Sequence, residues 1–214
     1  MMIDQSKYPG TITPDLERFV EVILNDYNDD KHAWKTEKEK DGIIYRVKQC
    51  PKKPFFGVWT ETIFKGSPSD IADAFLGEST RPKWDQQLSS ARQISSEPDG
   101  AVVCHFAFKS PSLGVAARDV VVRVFKIPLV DGRTVLFYES VKDDRTVLPP
   151  KHVRAEIHHS GAVITPISAN ACNAVQIEYM DPKGKIPQWV LKTCKNNTIK
   201  NSVSCREFVN SGKV

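Results

Sequence analysis

The chain has 214 residues, 40% of them hydrophobic, and a formal net charge of +4, enough for one sizeable core without a second domain. No apolar run approaches the roughly 20 residues that span a bilayer, and Met1 to Lys7 lacks the hydrophobic stretch of a secretion signal, so a cytoplasmic protein is expected. Five cysteines with no Cys-x-x-Cys pair argue against a disulfide framework or a zinc knuckle and read as reduced thiols.

Thr13-Pro14-Asp15 is a helix-start signal, and Leu16, Phe19, Val20, Ile23 and Leu24 share one helical face. The charged stretch from Asn25 to Asp41 has little to bury beyond Trp34, so residues 1–42 read as the N-terminal helical region. Asp41-Gly42 turns the chain into a strand over Ile43 to Val47, and Phe55 to Phe64 makes another. Gly66-Ser67-Pro68-Ser69 ends it, and Ser67 or Ser69 can cap a short helix from Asp70 to Leu76. From Leu88 onward the pattern is strand-like: Leu88 to Ile94, Val102 to Phe108, Asp119 to Ile127, Thr134 to Val141, Val153 to His159, Ala162 to Ile167 and Ala174 to Met180. Turns are expected at Pro98-Asp99-Gly100, Asp131-Gly132 and Ser160-Gly161.

Consecutive strands at hairpin spacing, without crossover helices, form an antiparallel sheet. With the two earlier strands it has about nine, and the flanking helices make the class α+β over residues 43–181 and beyond. Such a sheet curls, and a helix laid across its concave face closes a pocket. Asp181-Pro182-Lys183-Gly184 breaks the last strand, and Pro187 opens a final helix within residues 186–210. Its Val190, Leu191, Cys194, Thr198, Cys205 and Val209 recur at the spacing of one face. From Lys183 to Val214 seven basic residues stand against one acidic, so the positive excess of the chain sits here. Such a helix can lie on an anionic membrane, cover a cavity, or solvate its outer face.

His152 and His158 are placed to share a strand face, with His159 opposite. No cysteine or carboxylate stands at ligand spacing, so neither metal nor cofactor is assigned. No Gly-x-Ser-x-Gly elbow is present, and the chain is not expected to be an enzyme. The basic residues lack interleaved aromatics, which speaks against nucleic acid.

Arg81-Pro82-Lys83-Trp84-Asp85, Ala117-Arg118-Asp119-Val120-Val121, Lys151-His152-Val153-Arg154-Ala155 and Gly184-Lys185-Ile186-Pro187-Gln188-Trp189 follow one another in an order and spacing that resembles the START lipid-transfer domain. The likeness covers nearly the whole chain after Ile43. Asp181 to Trp189 looks most like the phosphatidylcholine-carrying members. The resemblance implies a single domain over residues 1–214 with a helix-grip fold, in which a curved antiparallel sheet wraps a long C-terminal helix around an internal lipid tunnel. It implies intracellular lipid binding and transfer between membranes, phospholipid favoured. A sterol or fatty-acyl lipid sensor acting on a protein partner is the alternative, and a helix-grip hydrolase or cyclase a third reading.

By the same resemblance Arg81 is placed at a phosphate-binding arginine and Asp85 at its orienting carboxylate, or the two form only a structural ion pair. His105, Val120 and His158 fall where phosphatidylcholine carriers place aromatic residues around choline, a poor substitute for electron-rich faces. Sterol-type members place an acid and an arginine across the tunnel. His105 falls at the acid and Val124 at the arginine, with Arg123 on the opposite strand face. Val190, Leu191, Cys194 and Thr198 are expected to turn inward from the lid helix. Leu148 and Pro149 are expected on a loop guarding the mouth. Lys192, Lys195 and Lys200 are expected to dock on an anionic membrane. Transient peripheral membrane contact, one lipid ligand and a monomer complete the expectation.

Overall fold

The computed structural model describes residues 2–29, 33–50, 55–184 and 186–214, with the side chains of residues 188 and 191–193 excepted. Helix α1 spans Pro14–Asn28, and the Thr13 side chain accepts a hydrogen bond from the Leu16 amide, 3.2 Å away, which satisfies one otherwise unpartnered donor of the first turn. Strands β1 (Lys35–Lys40), β2 (Ile43–Gln49) and β3 (Phe56–Lys65) follow, then helices α2 (Pro68–Leu76) and α3 (Arg81–Trp84). Strands β4 (Leu88–Ser96), β5 (Val102–Phe108), β6 (Ala117–Pro128), β7 (Thr134–Ser140), β8 (His152–Arg154), β9 (Glu156–Ser168) and β10 (Ala171–Asp181) lead to helix α4 (Gln188–Asn210). Ser67 caps α2 through a reciprocal capping box with Asp70. Pro187 is the N-cap of α4, so the helix starts one residue after the proline.

The sheet runs β1-β2-β3-β10-β9-β7-β6-β5-β4, curved and not closed, with β8 attached to β6. It has ten strands rather than nine. The additional one, β1, lies in the charged stretch and inside the region assigned to the N-terminal helix. Asp41 and Gly42 both take positive φ, +53° and +73°, the two-residue hairpin geometry that matches strand twist. The lysines and glutamates of β1 suit an edge strand, where charge discourages pairing with another chain.

Two expected strands are redistributed between β8 and β9. The strand runs straight through Ser160-Gly161, and the break falls at Ala155, whose amide donates to the Asp119 carbonyl at 2.9 Å. Gly161 marks a close approach instead of a turn: an added Cβ would lie 2.1 Å from the Leu136 carbonyl and 2.8 Å from Cδ1 of Ile23. β8 pairs with β6 in parallel over three residue pairs, a local exception in an otherwise antiparallel sheet.

Both faces of the sheet are covered. On the outer face Phe19 of α1 stacks on Phe137 with centroids 4.1 Å apart, and Leu16, Val20 and Ile23 join Phe125, Ile127 and Val163. On the inner face Ile71 and Phe75 of α2 and Cys205, Phe208 and Val209 of α4 pack on Phe64, Leu136, Ala162, Ile164 and Cys172. Each fully buried Leu, Ile or Phe contributes roughly 1.5–3 kcal/mol, so α4 is held along its second half as a core element.

Candidate binding cavity between sheet and terminal helix

A cavity of about 300 Å³ lies between the inner face of the sheet and α4, at the lower end of the roughly 300–1,000 Å³ found for small-molecule pockets. Strand alternation selects its wall: Val58 and Thr60 from β3, Phe106 and Phe108 from β5, Val120 and Val122 from β6, Tyr138 from β7, and Gln176, Glu178 and Met180 from β10. Cys194, Thr198, Asn201, Ser202 and Cys205 close it from one face of α4. Lys109, Pro111, Pro182 and Ile186 border it at the protein surface.

Arg81 opens α3, and Asp85, one helical turn on, is its C-cap. The Arg81 Nε donates to Asp85 Oδ2 at 3.1 Å. The guanidinium carbon sits 4.7 Å from the Phe106 centroid and 5.8 Å from those of Trp84 and Phe108, a cation packed among three aromatic rings. Its two terminal nitrogens make no hydrogen bond among the described residues. Asp85 is nearly buried and fully engaged, since its Oδ1 accepts from Nδ2 of Asn201 on α4 at 2.6 Å and from the Gln87 amide at 3.1 Å. Trp84 is buried and donates its indole N–H to the Ala74 carbonyl at 2.9 Å, yet one side of it still lines the cavity.

Glu178 and the bordering Lys109 are charged groups of the lining that sequence reading missed. The Glu178 side chain keeps accessible surface, and that surface faces the cavity. Burial pushes its carboxyl above the usual carboxylate range, the Arg81 charge opposes that rise, and the Asp85 charge adds to it. The Tyr138 phenol is also raised, mainly by burial.

Val120 lines the cavity. Val124 shares its face but packs in the adjoining cluster with Val120 and Val122, off the lining. His105 does not face the cavity. Phe106 and Phe108 take the inward phase of β5, and His105 points to the other side, with Nε2 2.8 Å from Oδ2 of the fully buried Asp119. Asp119 also accepts from Nε of Arg154 at 3.0 Å. Arg123 pairs with Asp99 on that outer side, so the acid and arginine pair of sterol-type members has no counterpart at these positions.

His158 is likewise off the lining. The register between β9 and β10 shifts at Tyr179/Met180 and leaves His158 as the extra residue of a bulge. Ile157 and Ser160 therefore face the cavity, while His158 stacks on Phe55 with centroids 4.8 Å apart and His159 contacts Asp26 and Tyr179. His158 thus shares the outward side with His159 rather than opposing it. Glu156 and Asp181 converge on His158, which linear spacing does not reveal. Lys183 already places its ammonium 2.6 Å from Glu156 and 2.9 Å from Asp181.

On α4, Cys194 and Thr198 line the cavity, whereas Val190 is fully buried off the lining. The side chains of Leu191 and Lys192 lie outside the described residues. Lys195 is not a free cation: it pairs with Glu37 of β1 at 2.7 Å and sits over the Tyr45 ring. Lys200 is exposed. Leu148 is exposed and Pro149 partly so, but neither borders the cavity. Arg145 ties the start of their loop to Ser95 at 3.1 Å, and the Lys151 carbonyl ties its end to the Ala117 amide at 3.2 Å. Arg118, which the sequence offers only as a motif residue, donates to the carbonyls of Pro182 and Lys183 at 3.1 and 3.0 Å and so pins the turn that enters α4.

No helix among the described residues is long and apolar enough to cross a membrane. The START domain family matches residues 16–210. The mouse and human START domain-containing protein 10 are each 24% identical over 164 residues, 74% of this chain and 50% of theirs, so the chain spans about half the length of these curated relatives. The fold is similar to that of the human StAR-related lipid transfer protein 5, with a TM-score of 0.83 and 22% identity over 92% of this chain and 96% of that one. Human STARD10 is similar at a TM-score of 0.76 and 18% identity, over 92% of this chain and 81% of that one. With a ten-stranded curved sheet, a terminal helix closing a cavity against it, and a family match over residues 16–210, the chain belongs to the START domain family of lipid-binding and lipid-transfer domains.

Proposed function

We propose that the chain is a carrier that takes one phospholipid from a membrane, holds it between sheet and α4, and releases it at another membrane. The observation that carries this reading is Arg81. Its guanidinium reaches the cavity with both terminal nitrogens uncommitted among the described residues and is oriented from behind by Asp85. A planar cation held in this way suits a phosphate oxygen pair. Two acyl chains need more room than about 300 Å³, so loading includes outward movement of α4, a gating step and not a chemical one. Mass spectrometry of lipid retained by the purified protein tests the reading. A phospholipid near one equivalent is expected, and a sterol in its place would overturn the role of Arg81.

Docking is assigned to apolar tips near the cavity opening together with exposed lysines. Leu113 is 100% exposed at the tip of the β5–β6 connection, beside Pro111 of the lining, and Trp189 is exposed on the first turn of α4, next to Ile186. Leu148 adds a third exposed apolar side chain. Burying one leucine in the bilayer boundary is worth roughly 1.5–3 kcal/mol. Leu113→Glu is therefore expected to slow vesicle-to-vesicle transfer by about tenfold while leaving the amount of lipid bound at equilibrium unchanged. Equal transfer rates would remove this loop from the docking surface. Lys200→Gln is expected to weaken the salt dependence of transfer from anionic vesicles, whereas Lys195→Gln is not, because Glu37 already neutralises that lysine.

A further inference from the structure

The inward face of β10 presents Ala174, Gln176, Glu178 and Met180 at strand alternation. Glu178 stands between Val58 of β3 and Ser160 of β9, and both of these also line the cavity. Its carboxyl makes no hydrogen bond or ion pair with any described residue. A carboxyl that faces the cavity with no protein partner is left to the cavity's water or to an occupant that supplies donors. The cavity's other carboxylate, Asp85, is already satisfied by Arg81, Asn201 and the Gln87 amide.

Arg81 lies near enough for its charge to act on Glu178, yet the two make no ion pair within 4.0 Å. Asp85 and the ring of Phe106 hold the guanidinium where it is. Arg118 and Lys109 also line the cavity, but backbone carbonyls already take their N–H groups, so Arg81 and Glu178 are left as a cation with uncommitted nitrogens and a separate anion more than 4.0 Å from it. We propose that Glu178 selects the headgroup by receiving the primary ammonium of a phospholipid whose phosphate rests on Arg81. This deepens the phospholipid reading given above and rests on it.

Hydrogen-bonding capacity distinguishes the candidate headgroups. A primary ammonium offers three N–H donors, which a carboxylate accepts in short charge-assisted bonds, whereas a quaternary ammonium offers none and relies on aromatic faces. Arg81 already lies over the rings of Trp84, Phe106 and Phe108, where its charge repels a second cation, His105 and His158 lie off the lining, and Phe64, Phe75 and Tyr138 are the lining rings that remain. Burial raises the Glu178 carboxyl, and an ammonium beside it would reverse that rise.

The test uses the full chain and mixed vesicles holding phosphatidylethanolamine and phosphatidylcholine of identical acyl composition. The recovered protein is extracted and its lipid read by mass spectrometry. The wild type is expected to enrich phosphatidylethanolamine. Glu178→Gln and Glu178→Ala are expected to lower the ratio of phosphatidylethanolamine to phosphatidylcholine taken up by about tenfold or more, the worth of one charge-assisted bond. Thermal unfolding of both variants shows whether they are folded, and removing a cavity-facing carboxyl that has no protein partner should leave their midpoints equal or higher. If the wild type takes up both lipids and the variants lose both alike, or neither, the assignment of Glu178 is overturned while the phospholipid reading stands. If the wild type takes up neither, both fall. If uptake is confined to sterol and depends on Glu178, its partner is a hydroxyl and the ammonium assignment is overturned.

Discussion

Arg81→Ala is expected to reduce phospholipid pickup by roughly a hundredfold, the equivalent of two charge-assisted hydrogen bonds at about 1.5 kcal/mol each. The fold should survive the change. Asp85, the buried partner, keeps its bonds from Asn201 and the Gln87 amide, so it is not left bare. The guanidinium also covers Phe106, and some packing is lost with it. A lowering of the unfolding midpoint by a few degrees is expected from that loss. Arg81→Lys separates charge from geometry, because an ammonium keeps the charge but not the planar fork. It should fall between wild type and alanine. Pickup that is unchanged in Arg81→Ala, read by lipid extraction from vesicles, would reduce the Arg81–Asp85 pair to a structural tie between α3 and the cavity wall.

Gly161→Ala carries the second large effect, on stability. The new methyl group would meet the Leu136 carbonyl at 2.1 Å on one side and Ile23 at 2.8 Å on the other. Neither can withdraw easily. Leu136 is fixed within the β6–β7–β9 ladders, and Ile23 is fully buried where α1 docks. Overpacking of this kind costs about 3 kcal/mol or more when the obstructing atom is backbone. Urea unfolding should show the midpoint fall with little change in slope. A loss below about 1 kcal/mol would mean that β9 and β7 separate without cost, contrary to a strand that runs unbroken through Gly161.

Local features were readable in the sequence and long-range ones were not. Arg81 and Asp85 sit one turn apart, so their pairing follows from spacing alone. The capping box at Ser67, the hairpin turn at Asp131-Gly132 and the helix start at Pro187 are similarly local. The Asp41-Gly42 turn was visible, but its incoming strand β1 has no apolar alternation to announce it. Ser160-Gly161 reads as a turn in the sequence and is mid-strand in the structure, because glycine serves both turns and close approaches and only the position of α1 decides between them. His158 moved to the outer side through a single bulge, which no period of two can anticipate. Glu178 was missed for a related reason. Both faces of β10 are covered, so Ala174 and Val175 are both buried and the strand lacks a clear inward phase. The polar residues Gln176 and Glu178, two apart, were the available signal.

Asp85 accepts hydrogen bonds from Arg81 of the cavity wall and from Asn201 of the terminal helix. One carboxylate is thus common to the proposed ligand contact and to the helix proposed to move for exchange. A coupling of this kind is reciprocal: by whatever factor an occupant at Arg81 tightens or loosens the seat of α4, displacement of α4 changes the occupant's affinity by the same factor. Unloading would then need no competitor inside the cavity. A membrane that bends α4 away from Asn201's contact would act on affinity from outside, and delivery would be set by where the protein lands.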